Sequence, residues 1–139
     1  MRFLKLVILI TAFLSTGSAF AQCDSLANLC SNNISSEFIS DGQQYRALLL
    51  NDEVAEFRLT MFGGTTYRLA ACSRIGKRNL LFRVYDQERN LLFSNADHHN
   101  AVYWDFQVTN TLDCIVEAQL APDYSASSGC AILLVGFKQ

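Results

Sequence analysis

A change of hydropathy period near residue 43 constrains this chain more than any other feature. Beyond that point Phe57, Leu59 and Met61 interleave with Glu56, Arg58 and Thr60, and Trp104, Phe106 and Val108 interleave with Tyr103, Asp105 and Gln107. A period of two sends successive side chains to opposite faces of a strand, so each run has one buried and one wet face. Runs of this kind at 43–50, 54–62, 65–73, 80–86, 91–94, 103–108, 113–120 and 130–138, separated by turn signals, predict an all-β sandwich of eight strands. The last run breaks the alternation: Ala131-Ile-Leu-Leu-Val135 is apolar on both faces. It must be a central strand covered twice.

One cover is the opposite sheet, and the other is a short helix. Over residues 24–35, Leu26, Leu29, Cys30 and Ile34 recur at helical spacing, with Asp24 or Ser25 placed to cap the first turn. The spacing predicts a helix that docks through Leu26, Leu29 and Ile34 on the outer side of the last strand. Gly63-Gly64 joins the second and third strands, and the polar stretch 86–90 forms a hairpin loop between the fourth and fifth.

Upstream, Arg2 and Lys5, the apolar run 6–14 and Ala19-Phe20-Ala21 follow one another in the order of a secretory signal peptide. The chain therefore divides into a signal at 1–21, a helical segment at 22–40 and a sandwich domain at 41–139. The apolar run falls short of the roughly 20 residues that cross a bilayer, and no later run reaches that length, so no integral membrane segment is expected. Cys23 invites comparison with a lipid anchor, but Gln22 stands where lipoprotein signals need a small residue.

Export brings Cys23, Cys30, Cys72, Cys114 and Cys130 into an oxidising compartment, where they are disulfide candidates first. Their odd number leaves at least one unpaired. No two are spaced as a close CxxC pair, which removes the usual redox and zinc motifs. Cys23 and Cys30 share a helical face but lie about 10 Å apart along it, too far to bridge each other.

The 139 residues are 50% apolar and 17% charged with a formal net charge of −2, and loss of Arg2 and Lys5 with the signal makes the remainder more acidic. Such a balance excludes disordered, collagenous and strongly basic nucleic-acid-binding classes. His98 and His99 are the only histidines, set with Asp97 in the polar loop 95–100. Adjacent side chains diverge, so a metal site there is not expected, and no nucleophile, phosphate-loop or EF-hand motif assigns a catalytic residue. Asp41, Asp52, Glu53 and Asp86 fall at strand ends, where calcium ligands of exported sandwiches also fall, yet their spacing selects no site. No cofactor is expected. Trp104 belongs to the core face, whereas Tyr103 on the opposite face makes Tyr103, His98 and His99 the candidate binding residues. Arg46, Arg58, Arg68 and Arg83 lie on wet faces within reach of Glu56, Asp105 and Glu117.

Two stretches carry a family resemblance. Phe57-Arg-Leu-Thr-Met-Phe-Gly-Gly-Thr-Thr-Tyr-Arg-Leu69, and Leu81-Phe-Arg-Val-Tyr-Asp86 followed by Asn90-Leu-Leu-Phe93, resemble the bacterial pre-peptidase C-terminal type of domain. That family runs strand, glycine turn, "TY" strand, "YD" strand, polar turn and "NLL" strand. The chain also resembles small secreted bacterial proteins that end in a strand like its own 129–137, Gly-Cys-Ala-Ile-Leu-Leu-Val-Gly-Phe. The resemblance implies an eight-stranded jelly-roll-like sandwich without catalytic residues. Jelly-roll wiring places strands 1, 8, 3 and 6 in one sheet and 2, 7, 4 and 5 in the other. It also sets Cys72 beside Cys130 as the expected disulfide and leaves Cys114 as a buried thiol. The function expected is a noncatalytic secreted or periplasmic module that binds a protein or glycan partner, the alternative being a small exported hydrolase built on His98 or His99.

Overall fold

The computed structural model describes residues 18–50, 52–73, 78–122 and 128–139; the apolar run 6–14 of the expected signal lies outside them. Among the described residues the strands are β1 (Ile39–Leu50), β2 (Val54–Met61), β3 (Thr65–Cys72), β4 (Leu80–Tyr85), β5 (Leu91–Ser94), β6 (Tyr103–Val108), β7 (Leu112–Leu120) and β8 (Ser128–Lys138). They form two four-stranded sheets in the orders β1-β8-β3-β6 and β2-β7-β4-β5, antiparallel throughout. This is the jelly-roll order.

The Gly63-Gly64 link therefore crosses from one sheet to the other. With β2 ending at Met61 the link is three residues, Phe62 to Gly64, and so short a crossing must be held at the corner. Gly64 takes φ 81° and donates its N–H to the Val108 carbonyl at 2.7 Å. A Cβ on Gly63 would stand 2.7 Å from the Thr109 carbonyl oxygen, so the turn is pressed against the β6–β7 connection and only glycine fits. The 86–90 hairpin closes as expected. Both Asp86 carboxylate oxygens accept bonds from Asn90, which holds the Asp86 carboxyl below its ordinary range.

Between the sheets, Ala131, Leu133 and Val135 of β8 pack with Leu69, Phe82, Val84 and Val116 in the main core. Ile132 and Leu134 face the other way, with Ala70 and Cys72 of β3, and are covered by the helix α1 (Ser18–Cys30). The last strand is thus central and covered on both sides. Its cover differs in detail from the sequence expectation. No glycine or proline interrupts 18–30, so the helix runs unbroken over Ser18–Cys30, Asp24 and Ser25 lie inside it, and Asp24 pairs with Arg46 of β1. The helix ends at Cys30, short of the expected 35; its buried face is Cys23, Ala27 and Cys30 with Leu26 partly buried, Ile34 packs from beyond the helix, and Leu29 is 51% exposed and does not dock. Fully buried Ala27 lets the helix axis approach the sheet more closely than leucine would.

Two disulfides fasten this helix: Cys23–Cys130, with Cα atoms 5.6 Å apart, and Cys30–Cys72, at 6.3 Å. The expected Cys72–Cys130 bond is not formed. Cys72 opposes Ile132 in the β3–β8 ladder, so Cys130 is its diagonal neighbour, at about 7–8 Å and beyond disulfide reach. Two turns of helix span that diagonal, and each of its cysteines takes one of the strand cysteines.

Cys114 is a buried free thiol that donates to the Leu59 carbonyl at 3.5 Å. Burial pushes its pKa up to about 11, so about one molecule in ten thousand carries the thiolate at pH 7. We expect maleimide or iodoacetamide to leave Cys114 unmodified in the folded protein and to label one thiol per chain in denaturant. Mass spectrometry before and after denaturation checks this.

Candidate functional site

The sequence-chosen residues occupy two different environments. Residues 95–98 form a single 3-10 turn closed by His99 and Asn100 in the left-handed region, at φ 55° and 53°. The His98 ring lies flat on Phe93 (centroids 5.3 Å, interplanar 7°) and 4.1 Å from Trp104. Phe93 also meets Phe106 edge-on, so His98 caps the aromatic cluster that closes the sandwich between edge strands β5 and β6. Trp104 sits on the core face, as the alternation required. His99 accepts a bond at its carbonyl from Arg78 at 3.0 Å. Among the described residues no three His, Cys, Asp or Glu side chains converge as a metal site would need. Asp41, Glu53 and Asp86 instead accept local N–H groups from Gln43, Leu50 and Asn90.

Tyr103 lies on the outer face, 41% exposed. One side of its ring carries the Arg68 guanidinium, 4.1 Å from the centroid, which also stands 4.5 Å from the Phe38 centroid. Arg68 makes a two-pronged pair with Asp105, directly opposite in the β3–β6 ladder, at 2.7 and 2.8 Å. That carboxylate raises the Arg68 pKa. The other arginines divide differently from the cross-strand expectation: Arg58 pairs with Glu56 on its own strand, Arg83 binds Gln119, and Arg89 takes Glu56 and Glu117. A shallow groove of about 450 Å³ runs past Tyr103, Arg78 and Asp105.

Because His98 packs against Trp104, the single tryptophan, its removal is visible by fluorescence. We expect His98→Ala to red-shift the emission and to cost about 1 kcal/mol, the scale of one aromatic pair. An unshifted spectrum would remove the capping role.

The larger concavity is elsewhere, at the opposite open edge, where β1 of one sheet faces β2 of the other. It encloses about 770 Å³, within the range of ligand sites. Leu59, Ile115 and Val135 are among its apolar lining residues, and Tyr45, Tyr67 and Phe137 among its aromatic ones. Phe62 stands at the rim, 60% exposed, with its N–H bonded to the Tyr67 hydroxyl at 3.0 Å. The β1–β8 register shifts between Ser40 and Gln44, and Gly42 within the shift takes φ 79°. This irregularity brings Asp41 and Gln43 to the lip of the cleft. Partial burial raises the Asp41 pKa against the lowering effect of the Gln43 N–H, and burial followed by the Asp41 charge raises that of Tyr45. Asp113 lies with Thr60 on the outer face of the β2–β7 sheet, bonded by Thr60 at 2.5 Å and Gln87 at 3.2 Å.

Sequence reasoning missed this cleft. Its walls come from β1, β2, β3, β7 and β8, and no local spacing signals their meeting. The available hint was Phe62, an aromatic side chain directly after the inward series Phe57, Leu59, Met61.

No family model and no curated protein matches this sequence. Among solved structures the chain is similar to Aeromonas hydrophila PliG, a periplasmic lysozyme inhibitor of g-type lysozyme, with a TM-score of 0.52 and 13% identity over 75% of this chain and 90% of that one. The likeness is one of fold, that of the β-sandwich described above.

Proposed function

We propose that this protein is an exported, noncatalytic module that binds a partner protein through the open β1–β2 edge of its sandwich. The observation that carries the reading is the cleft itself, an apolar and aromatic hollow with exposed Phe62 at its rim. Large aromatic side chains beside a pocket are the usual anchors of protein contacts. Further support comes from the fold, shared with an inhibitor whose stated target is a lysozyme, and from the pre-peptidase C-terminal resemblance, which implies no catalytic residues. Two disulfides suit an oxidising compartment, the periplasm or the exterior. Cleavage after Ala21 would leave Cys23 near the new N-terminus, where it serves the disulfide rather than a lipid.

A photo-crosslinking residue placed at position 62 in the native host should yield one discrete protein adduct. The same residue at position 92, on β5 at the far edge, should yield none. Purified g-type lysozyme is the first defined candidate for the adduct. Equal labelling at both positions, or adducts with polysaccharide alone, overturns the reading. Hydrolysis by the purified chain that disappears on replacing His98 and His99 would favour the enzyme instead.

A further inference from the structure

We propose that the partner protein adds an extended segment antiparallel to the free edge of β1, as a fifth strand of that sheet, and lays one large apolar side chain into the cleft opposite Tyr45. The inference rests on the protein-binding function above and names what the partner must present there.

β1 ends its sheet, so one side of its backbone has no neighbouring strand. Which groups face that side follows from Leu50. Its N–H is taken by the Glu53 carboxylate at 2.9 Å and its carbonyl by the Glu53 N–H at 3.1 Å, so Leu50 points away from β8. In an antiparallel ladder both groups of a residue face the same side, and the side alternates along the strand. The β1–β8 register is unbroken from Gln44 to Leu50, so Arg46 and Leu48 also turn their N–H and carbonyl outward. Among the described residues nothing bonds to those four groups. Edge strands are usually blunted by shortness, lysine or proline. β5 has four residues and β6 six, but β1 has twelve. Its stretch 44–50 holds neither lysine nor proline, its one charge, Arg46, is paired with Asp24, and Leu48 is more than half exposed.

The inward side chains along this edge are also incompletely covered. Tyr45 and Ala47 are only partly buried, as are Ala55, Phe57 and Leu59 of β2, and Tyr45 and Leu59 line the cleft. A strand paired with Arg46 and Leu48 sends alternate side chains inward, opposite Tyr45 and Ala47. Hydrogen bonds then fix the backbone, and the cleft selects the side chain. A second copy of this chain fits less well. Two β1 strands paired symmetrically about Ala47 would set Ala47 opposite itself and the already buried Leu49 opposite Tyr45, leaving the cleft empty.

The probe is a blocked peptide with lysine at each end that alternates threonine with valine and carries phenylalanine in valine's place at its centre, titrated into 15N-labelled protein. We expect binding to slow hydrogen exchange at the Arg46 and Leu48 amides and to leave Tyr45 and Ala47, which face β8, unchanged. With phenylalanine turned inward the threonine amides point at β1. Methylating them should abolish binding, methylating the valine and phenylalanine amides should not, and alanine for phenylalanine should weaken it about tenfold. In the host, Leu48→Pro deletes one outward N–H and no β1–β8 bond, so it should keep the thermal midpoint and lose the adduct formed at position 62. Leu48→Thr should keep both. Equal effects of the two methylation patterns, no slowing at Arg46 and Leu48, or an adduct that persists in folded Leu48→Pro protein would overturn the inference and leave the protein-binding function standing. An adduct of twice this chain's mass would overturn it in favour of a second copy. Slowed exchange with the peptide but no protein adduct at position 62 keeps the strand site and removes that function.

Discussion

Replacing Cys30 and Cys72 together by serine should destabilise the protein by about 4 kcal/mol, because that bond closes a separation of 42 residues in the unfolded chain. In a domain of this size the midpoint falls by on the order of 15 °C. Cys23–Cys130, with a separation of 107, should contribute about 5 kcal/mol by the same chain-entropy reasoning. The two loops are nested, so the losses are not additive. Full reduction should still consume much of the roughly 5–15 kcal/mol that holds such a domain folded. Once free, α1 would uncover Ile132, Leu134 and Ala70, which are buried beneath it. Reduced protein should consequently associate as well as melt early. Thermal melts and light scattering with and without reductant measure both effects. A reduced protein that melts unchanged would show that packing alone holds the helix.

A comparable loss is expected at Asn95, which is fully buried. Its side-chain oxygen accepts the Phe82 N–H at 2.8 Å, and its amide donates to the carbonyls of Leu80 at 3.0 Å and Ala101 at 3.1 Å. The residue thus continues the β4 ladder past the end of short β5 and ties it to the start of β6. Asn95→Leu keeps the volume but strands a buried N–H and a buried carbonyl, each costing about 1–3 kcal/mol. We expect a loss of about 3 kcal/mol and a midpoint roughly 10 °C lower. Urea unfolding of the pair checks it, and a difference under 1 kcal/mol would mean that water has replaced the amide.

Asn95 also marks what a sequence conceals. In the series Asn95-Ala-Asp-His-His-Asn100 it reads as one more polar loop residue, and only the folded chain shows that it alone turns inward. Strand positions were far easier to read. Burial of one face imposes period-two patterning, so β5 and β6 fall at the residues their patterning marked and β2 ends one residue early, at Met61. The long start of β1 at Ile39 was hidden because Ser40, Asp41 and Gly42 carry no alternation across the register shift. Cysteine pairing failed for a related reason. Sequence could set Cys72 and Cys130 on neighbouring strands, but a diagonal offset of two residues decides whether sulfurs meet, and that offset is a property of the ladder. The cleft was least legible of all, since its lining is contributed by five strands and shares no local pattern.

The bond from Cys23 to Cys130 turns most of the chain into a covalent ring. A protease that cuts once at the exposed 86–90 hairpin opens that ring without releasing either half, for the ends remain joined through sulfur and interleaved through β7 and β8. A nicked molecule should therefore run at full mass on a non-reducing gel and split in two only when reduced. For a protein expected to work outside the cytoplasm, among extracellular proteases, this makes the first cut survivable.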